Sequence, residues 1–268
     1  MAVLDDIAEW PVERAAAAVA TAAGAVEKYG DLNWTIGIAS VTKILVGFGA
    51  LIALEEGSLE LDMSAGPPGS TVRHLLSHAS GLPFNGTKPI TTPGKRRIYS
   101  NSGIEALGEV LAKTTGMPVA DYLHEGVFVP LGMRSTSLRK SPAWGARSSV
   151  EDLVRFGQEL LVPTLITAET LAEATSEQFP GLAGVVPGMG RYNPCPWGLS
   201  FELKGSKNPH WTAPENSPRT FGHFGGSGTF LWVDPEAALS CVVLTNRQFG
   251  KWAPPLWSAL SSKVLEQQ

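Results

Sequence analysis

Three short segments of the sequence carry side chains that could perform nucleophilic acyl-transfer chemistry. The first is Ser40-Val41-Thr42-Lys43, at the start of a predicted apolar helix over 40–56. A three-residue spacing on a helix places Ser40 and Lys43 on one face, within side-chain reach. A serine hydroxyl is a weak nucleophile until a base takes its proton, and burial can lower the pKa of a lysine enough for it to serve. The Ser40 N–H, at a helix N-terminus, is free to donate to a developing oxyanion. Alone, however, this short pattern arises by chance in many proteins.

The second segment, Tyr99-Ser100-Asn101, lies in a loop before a predicted helix over 101–115. A phenol near a cationic lysine can populate its phenolate and act as a general base. The Asn101 amide can hold the lysine or a substrate amide. A purely structural alternative, with Tyr99 packed on the loop and Asn101 capping the helix, fits the sequence as well.

The third segment is His223-Phe224-Gly225-Gly226, which precedes a strand-like run. Glycines on a strand mark places where a ligand or another backbone comes close. A strand edge of this kind could offer its N–H groups to a substrate carbonyl. It could equally be a simple bulge or turn between two strands.

In order and spacing, the three segments resemble the signatures of serine β-lactamases and penicillin-binding proteins, which are Ser-x-x-Lys, Tyr-x-Asn and Lys-Thr-Gly. Longer blocks resemble the class C β-lactamase-like group, which includes the family VIII carboxylesterases. These blocks are IASVTK (38–43), TVRHLLSHASGLP (71–83), PGKRRIYSNSG (93–103) and GHFGGSGTFLWVDPE (222–236). The similarity runs from about Trp34 to the C-terminus, and the sequence is identified as a member of this superfamily.

The resemblance implies a serine hydrolase with defined catalytic roles. Ser40 would attack an acyl carbonyl and form an acyl-enzyme, while Lys43 and Tyr99 would take and return the proton. The backbone N–H groups of Ser40 and Gly226 would form the oxyanion hole. Which of Lys43 and Tyr99 is the acylation base stays open.

Three further residues are predicted to bind substrate, namely Asn101, His223 and Gly225. His223 departs from the family pattern, because β-lactamases and transpeptidases usually keep there a lysine that helps bind a substrate carboxylate. Replacement of this lysine is commoner among esterase-like members. The resemblance therefore favours a carboxylesterase-like enzyme that cleaves small esters. The alternatives are an amidase, D-amino-acid peptidase or weak β-lactamase with the same site, and a catalytically silent penicillin-binding-like protein.

The patterning of the rest of the chain predicts the elements that position these residues. Helices are expected at 101–115, 118–130, 149–161 and 167–176, and strands after about residue 195. The alanine-rich segment 15–28 favours a helix by propensity, although Gly24 would also allow two short strands.

The resemblance implies an α+β fold, an α/β sandwich with an antiparallel sheet plus an inserted all-helical domain. The α/β domain would comprise residues 1–62 and 190–268, and the helical domain residues 63–189. On this basis we predict that Ala15–Lys28 is a strand pair.

Composition narrows the range of partners. The 268-residue chain has a net charge of −4, which argues against nucleic acid or an anionic membrane as a partner. Its one dense basic cluster, Lys95-Arg96-Arg97, is predicted to be a solvated loop. A small-molecule ester or amide is the expected partner, and the oligomeric state is not predicted.

Location, metals and cofactors follow from a few further features. No stretch approaches the roughly 18–20 apolar residues of a membrane span, and no basic secretory signal opens the chain, so we expect a soluble cytoplasmic protein. Cys195 and Cys241 need not pair. His74 and His78 have a spacing that could bind zinc, but without an evident third ligand they are predicted to be structural. No metal or cofactor is expected.

Overall fold

The central element of the computed structural model, which describes residues 2–267, is a six-stranded antiparallel sheet. Its strands are β1 (Ala15–Thr21), β2 (Gly24–Tyr29), β9 (Glu202–Leu203), β10 (Phe221–Gly225), β11 (Thr229–Asp234) and β12 (Leu239–Thr245). Their order across the sheet is β2-β1-β12-β11-β10-β9. Both ends of the chain contribute, because β1 pairs with β12 with Ala15 opposite Thr245. This arrangement confirms the predicted α+β fold.

The alanine-rich segment forms the β1–β2 hairpin, which confirms the predicted strand pair. Strand β1 lies between β12 and β2, and Ala16, Ala17 and Ala18 are fully buried there. Hydrogen bonding to two neighbours, together with burial, outweighs the intrinsic helix preference of alanine. Gly24 adopts φ +133° where the hairpin turns, a conformation that other residues rarely reach.

Seven α-helices lie within the described residues. They are α1 (Thr42–Glu55), α2 (Val72–Leu76), α3 (Asn101–Thr115), α4 (Val119–Leu123), α5 (Val150–Leu161), α6 (Ala168–Ala174) and α7 (Ala253–Glu266). The helix predicted to start at Ser40 starts at Thr42 instead, because a 3-10 turn over Ala39–Val41 precedes it. The helix predicted at 118–130 is α4 followed by a π-helical turn over His124–Phe128.

Helix α1 is buried along almost its whole length, as its continuous apolar pattern predicts. Gly47 allows it to approach the chain at Ser200, because a Cβ on Gly47 would lie 2.1 Å from the Ser200 Cβ. The Ser200 hydroxyl then donates a hydrogen bond of 2.9 Å to the Lys43 carbonyl oxygen. This contact fixes the first turn of α1, which carries the predicted catalytic lysine.

Two three-stranded sheets complete the structure. One has the order β3 (Ile36–Gly37), β6 (Ala146–Ser148) and β5 (Ser137–Leu138), and the other β4 (Arg97–Ile98), β7 (Gly184–Val186) and β8 (Gly190–Tyr192). Among the strands predicted after about residue 195, the first is confined to Glu202–Leu203, because the nearby Ser200 adopts a left-handed φ of +71°. The division into an α/β domain of residues 1–62 and 190–268 and a helical domain of residues 63–189 stays a prediction.

The basic cluster at residues 95–97 is not a fully solvated loop, and that prediction is wrong at Arg97. The Arg97 side chain is buried, and its guanidinium donates to the carbonyl oxygens of Ser77, Gln178 and Cys195. These bonds compensate for the loss of water around the charge. Arg97 therefore ties separate loops together, while its neighbour Arg96 is exposed.

Cys195 and Cys241 are both buried and unpaired. Within residues 2–267, every helix is too short or too polar to cross a bilayer.

Candidate active site

Ser40 and Lys43 lie together where the 3-10 turn joins helix α1. The Lys43 Nζ is 3.2 Å from the Ser40 Oγ. Ser40 is partly accessible, whereas Lys43 is fully buried. Ala39, directly before the serine, has a φ of +45°, a conformation that costs energy for a residue with a Cβ.

The Lys43 amine has three oxygen neighbours. Besides the Ser40 Oγ, the Asn101 Oδ1 lies 2.8 Å from the Nζ and the Ala143 carbonyl oxygen 2.7 Å from it. Burial lowers the pKa of Lys43 to about 7, against an opposing effect of the Glu105 carboxylate. A substantial fraction of the amine is therefore neutral at neutral pH and able to accept a proton.

Asn101 is positioned by the start of helix α3. The helix is capped by Ser100, whose Oγ accepts a 2.8 Å hydrogen bond from the Gly103 N–H. The structural alternative, in which Asn101 is the cap, is therefore wrong. The Asn101 side chain turns inward instead, where its Oδ1 accepts from Lys43 and its Nδ2 donates to the Asn85 Oδ1 at 3.1 Å.

The Tyr99 ring lies beside the Lys43 amine, with the Nζ 4.8 Å from the ring centroid. The ring packs against Trp197 and His223, at centroid distances of 5.9 and 5.6 Å. Burial raises the pKa of Tyr99 well above its usual value, and a hydrogen bond with the Ser40 side chain only partly offsets this. This direction disfavours the phenolate expected from the sequence, and the role of Tyr99 in proton transfer stays a prediction.

The glycine-bearing segment at the end of β10 lies against the turn that carries the serine. A Cβ on Gly225 would be 2.3 Å from the Ile38 carbonyl oxygen, so only glycine lets the two backbones come this close. Gly226 is different, because a Cβ there would meet no atom within 4 Å. Gly226 instead lines the same cavity as Ser40. The oxyanion hole of the Ser40 and Gly226 N–H groups stays a prediction.

His223 is buried in β10 and has a defined tautomer. Its Nδ1 is 2.6 Å from the Phe224 carbonyl oxygen, and because a carbonyl only accepts, Nδ1 must carry the proton. Burial, reinforced by Lys43, lowers the pKa of His223 to about 4, so the ring is neutral. The Nε2 is then an acceptor, and it has no hydrogen-bond partner among residues 2–267.

These residues surround one cavity of about 220 Å³. Its wall comprises Ser40, Phe84, Tyr99, Val186, Pro187, Gly188, Trp197, Glu202, His223, Phe224, Gly226 and Phe249. Lys43, Asn101 and Gly225 are not part of the wall. Lys43 contacts the wall residue Ser40, Asn101 contacts Lys43, and Gly225 lies between two wall residues of the same segment. The sequence-predicted residues thus converge on one place.

A buried ion pair beside this cavity was missed by the sequence analysis. The Glu202 Oε1 lies 3.2 Å from the Lys207 Nζ, and both side chains are fully buried. The Glu202 Oε2 accepts a 2.9 Å hydrogen bond from the Trp211 Nε1, and the His210 Nε2 lies 3.4 Å from the Oε1. Burial by itself would raise the pKa of Glu202, but Lys207 and His210 hold it well below its usual value. A glutamate and a lysine five residues apart form no recognisable motif, so no sequence signal could have identified them.

Comparisons with known proteins bear on the family of this chain. A model of the family described as Beta-lactamase matches residues 35–260. A β-lactamase of Escherichia coli (strain K12) is 23% identical, and the match covers 68% of this chain and 64% of that protein, less than two thirds of its length.

Two solved structures extend the comparison. A β-lactamase from Mycobacterium bovis has 50% sequence identity and a TM-score of 0.98, with 99% of this chain and 98% of that chain covered. EstCE1, described as a hydrolase with promiscuous acyltransferase activity, has 18% identity and a TM-score of 0.76 over 98% of this chain and 96% of that chain. At this identity EstCE1 shows a shared fold and no more.

Proposed function

The chain belongs to the β-lactamase family, as its sequence signatures predict, and from this premise we propose that it is a serine hydrolase that cleaves small esters through an acyl-enzyme on Ser40. The observation that carries the proposal is the 3.2 Å contact between the Ser40 Oγ and the Lys43 Nζ. A serine hydroxyl needs an adjacent base, and a buried lysine with a lowered pKa is one.

The partners of Lys43 support its role as the acylation base. A neutral amine has two N–H groups and one lone pair. The Asn101 Oδ1 and the Ala143 carbonyl can only accept, so they take the two N–H groups. The lone pair is then left for the third neighbour, the Ser40 hydroxyl proton.

The proposed reaction proceeds in two halves. As the Ser40 Oγ bonds to the acyl carbon, its proton passes to Lys43, and the carbonyl oxygen becomes an oxyanion facing the N–H groups of Ser40 and Gly226. The ester C–O bond then breaks, and the departing alkoxide takes a proton from the Tyr99 hydroxyl. The Lys43 ammonium then returns a proton to the Tyr99 oxygen. Water attacks the acyl-enzyme by the reverse proton path, which releases the acid and restores Ser40.

The charge around the cavity favours substrates without a carboxylate at the reacting end. His223 presents an acceptor there, and two acceptors cannot share a hydrogen bond. The opposite charges of Glu202 and Lys207 lie 3.2 Å apart and offset each other, so neither is free to pair with a substrate carboxylate. This supports ester substrates over β-lactams and peptide C-termini.

A weak β-lactamase is the second candidate function. It is favoured by the 50% identity to the Mycobacterium bovis β-lactamase across 98% of that chain. An amidase or D-amino-acid peptidase would use the same residues. A silent penicillin-binding-like protein would be acylated without turnover.

The test compares wild type with Ser40→Ala on p-nitrophenyl acetate, p-nitrophenyl butyrate and nitrocefin. We expect ester turnover that falls below about one-thousandth in the variant, as loss of a catalytic nucleophile usually causes. Nitrocefin cleavage should be slow. Rapid nitrocefin turnover would favour the β-lactamase, and no turnover of any substrate by the wild type would exclude the short-ester function. Mass spectrometry after fluorophosphonate treatment locates the label, which we expect on Ser40.

A further inference from the structure

A second, larger cavity adjoins the Ser40 cavity. Its volume is about 560 Å³, and it shares Phe84, Tyr99 and Pro187 with the wall of the first. Sites for small molecules usually have roughly 300–1,000 Å³, so the Ser40 cavity is small for a complete substrate and the second one is not. We call the second space the side cavity.

The side cavity has an apolar floor built on the small β4–β7–β8 sheet. Ile98 lies opposite Val185, and Val185 lies opposite Arg191, so the three side chains form one row on the same face. All three line the side cavity. The row is apolar on two strands and ends in a cation on the third.

The walls also expose large apolar side chains. Phe84 is 49% exposed, Ile90 65% and Val185 51%, and all three line the side cavity. Exposed apolar residues that gather around one concave surface indicate a place where a ligand binds. Because Phe84 and Tyr99 line both cavities, a ligand in the side cavity can extend along them to the Ser40 cavity.

Two arginines give the side cavity its charge. Arg96 and Arg191 line it and are exposed, and neither guanidinium has a hydrogen bond or ion pair with another residue within 2–267. Arg97 also lines it, but the guanidinium is already bonded to four carbonyl oxygens. None of the lining residues is acidic. The side cavity is therefore complementary to an apolar group that carries a negative charge.

Resting on the proposed function, we propose that the side cavity binds the distal part of the ester substrate, an apolar chain that ends in an anionic group paired with Arg96 and Arg191. The reacting ester group then lies at Ser40, where the neutral His223 provides no positive charge. The anionic group lies at the opposite end of the substrate, between the two arginines. The substrate class is an ester of an ω-anionic, medium-length aliphatic acid.

Binding tests the side cavity independently of catalysis. Decanoate and decyltrimethylammonium have matched ten-carbon chains and opposite charges, and calorimetry gives both dissociation constants below their micelle-forming concentrations. We expect wild type to bind decanoate about tenfold more tightly, the effect of two exposed ion pairs. Arg96→Glu/Arg191→Glu should abolish or invert this preference, whereas Arg219→Glu, an exposed arginine elsewhere, should retain it. Equal binding of the two probes, or a preference that survives in the double variant, overturns the proposal.

Turnover tests whether the side cavity serves the substrate. Mono-p-nitrophenyl suberate and p-nitrophenyl octanoate have the same eight-carbon acyl chain, with and without a terminal carboxylate. We expect a higher kcat/KM for the suberate ester in wild type and in Arg219→Glu, and a reversed ratio in the double variant. A ratio that is the same in all three proteins overturns the substrate assignment. Turnover of p-nitrophenyl acetate by wild type tests the ester function separately. If wild type does not cleave this ester, the proposed function fails, while the preference for decanoate still shows whether the side cavity binds an anion.

Discussion

The Lys43 Nζ and the Asn101 Oδ1 are 2.8 Å apart, across the junction between helices α1 and α3. This contact connects the first and second sequence signatures, which are 58 residues apart in the chain. An amide oxygen accepts a hydrogen bond from the amine without a full negative charge. It therefore orients Lys43 while allowing burial to keep the pKa of the amine near 7.

Asn101→Asp should shift the pH dependence of ester hydrolysis. In wild type, kcat/KM is expected to rise with pH through about 7, as the Lys43 ammonium loses its proton. A carboxylate at position 101 would favour the ammonium and raise the pKa of Lys43, so the rise should move to higher pH. The measurement is the pH profile of kcat/KM for p-nitrophenyl acetate. Asn101→Ala is the control, because it removes the amide without adding charge, and an unshifted profile in Asn101→Asp would exclude Lys43 as the base.

Lys43→Met should be inactive, and its stability relative to wild type should increase as the pH falls. The folded-state pKa of Lys43 is lowered to about 7 from the usual lysine value of 10.5, so the penalty of burying the charge is fully present below about 7 and absent above about 10.5. Methionine carries no charge and avoids this penalty. Between pH 9 and pH 6, the difference in unfolding free energy between variant and wild type should change in favour of the variant by on the order of 2 kcal/mol.

Urea unfolding at the two pH values measures this difference. The acceptors left free at Asn101 and Ala143 cost the variant stability at both pH values, so they do not affect the comparison. A difference that is the same at pH 6 and pH 9 would show that the lysine does not titrate in this range.

Much of the fold and the residues of the candidate site could be predicted from the sequence, because local patterns determine them. Ser40 and Lys43 share a face through helical spacing, and the helix over 101–115 has the predicted bounds. The pairing of Glu202 with Lys207 could not be predicted, since it depends on two side chains buried together by an irregular loop. The burial of Arg97 was missed for a related reason, because its partners are carbonyl oxygens of distant loops that no local pattern reveals.

Glu202→Gln should destabilise the protein strongly. Loss of the carboxylate leaves the fully buried Lys207 ammonium without a counter-charge, and breaking a buried pair in this way costs about 3–5 kcal/mol. The double variant Glu202→Gln/Lys207→Met removes both charges and should recover most of the loss. Urea unfolding of wild type and the two variants measures this loss of stability and its recovery. If the double variant were as unstable as Glu202→Gln, the unpaired charge would not be the cause.

His223→Lys should change which substrates are accepted. His223 offers an unprotonated Nε2, because the Phe224 carbonyl holds the proton on Nδ1. A lysine at this position would replace the acceptor with a donor and a positive charge beside the Ser40 cavity. A charged hydrogen bond stabilises a partner by about 1.5–3 kcal/mol, so the kcat/KM for nitrocefin relative to p-nitrophenyl acetate should rise by about tenfold or more. His223→Gln, which adds no charge, is the matched control. A similar rise in both variants would show that space, not charge, excludes the carboxylate, while no rise in His223→Lys would contradict the specificity argued for His223.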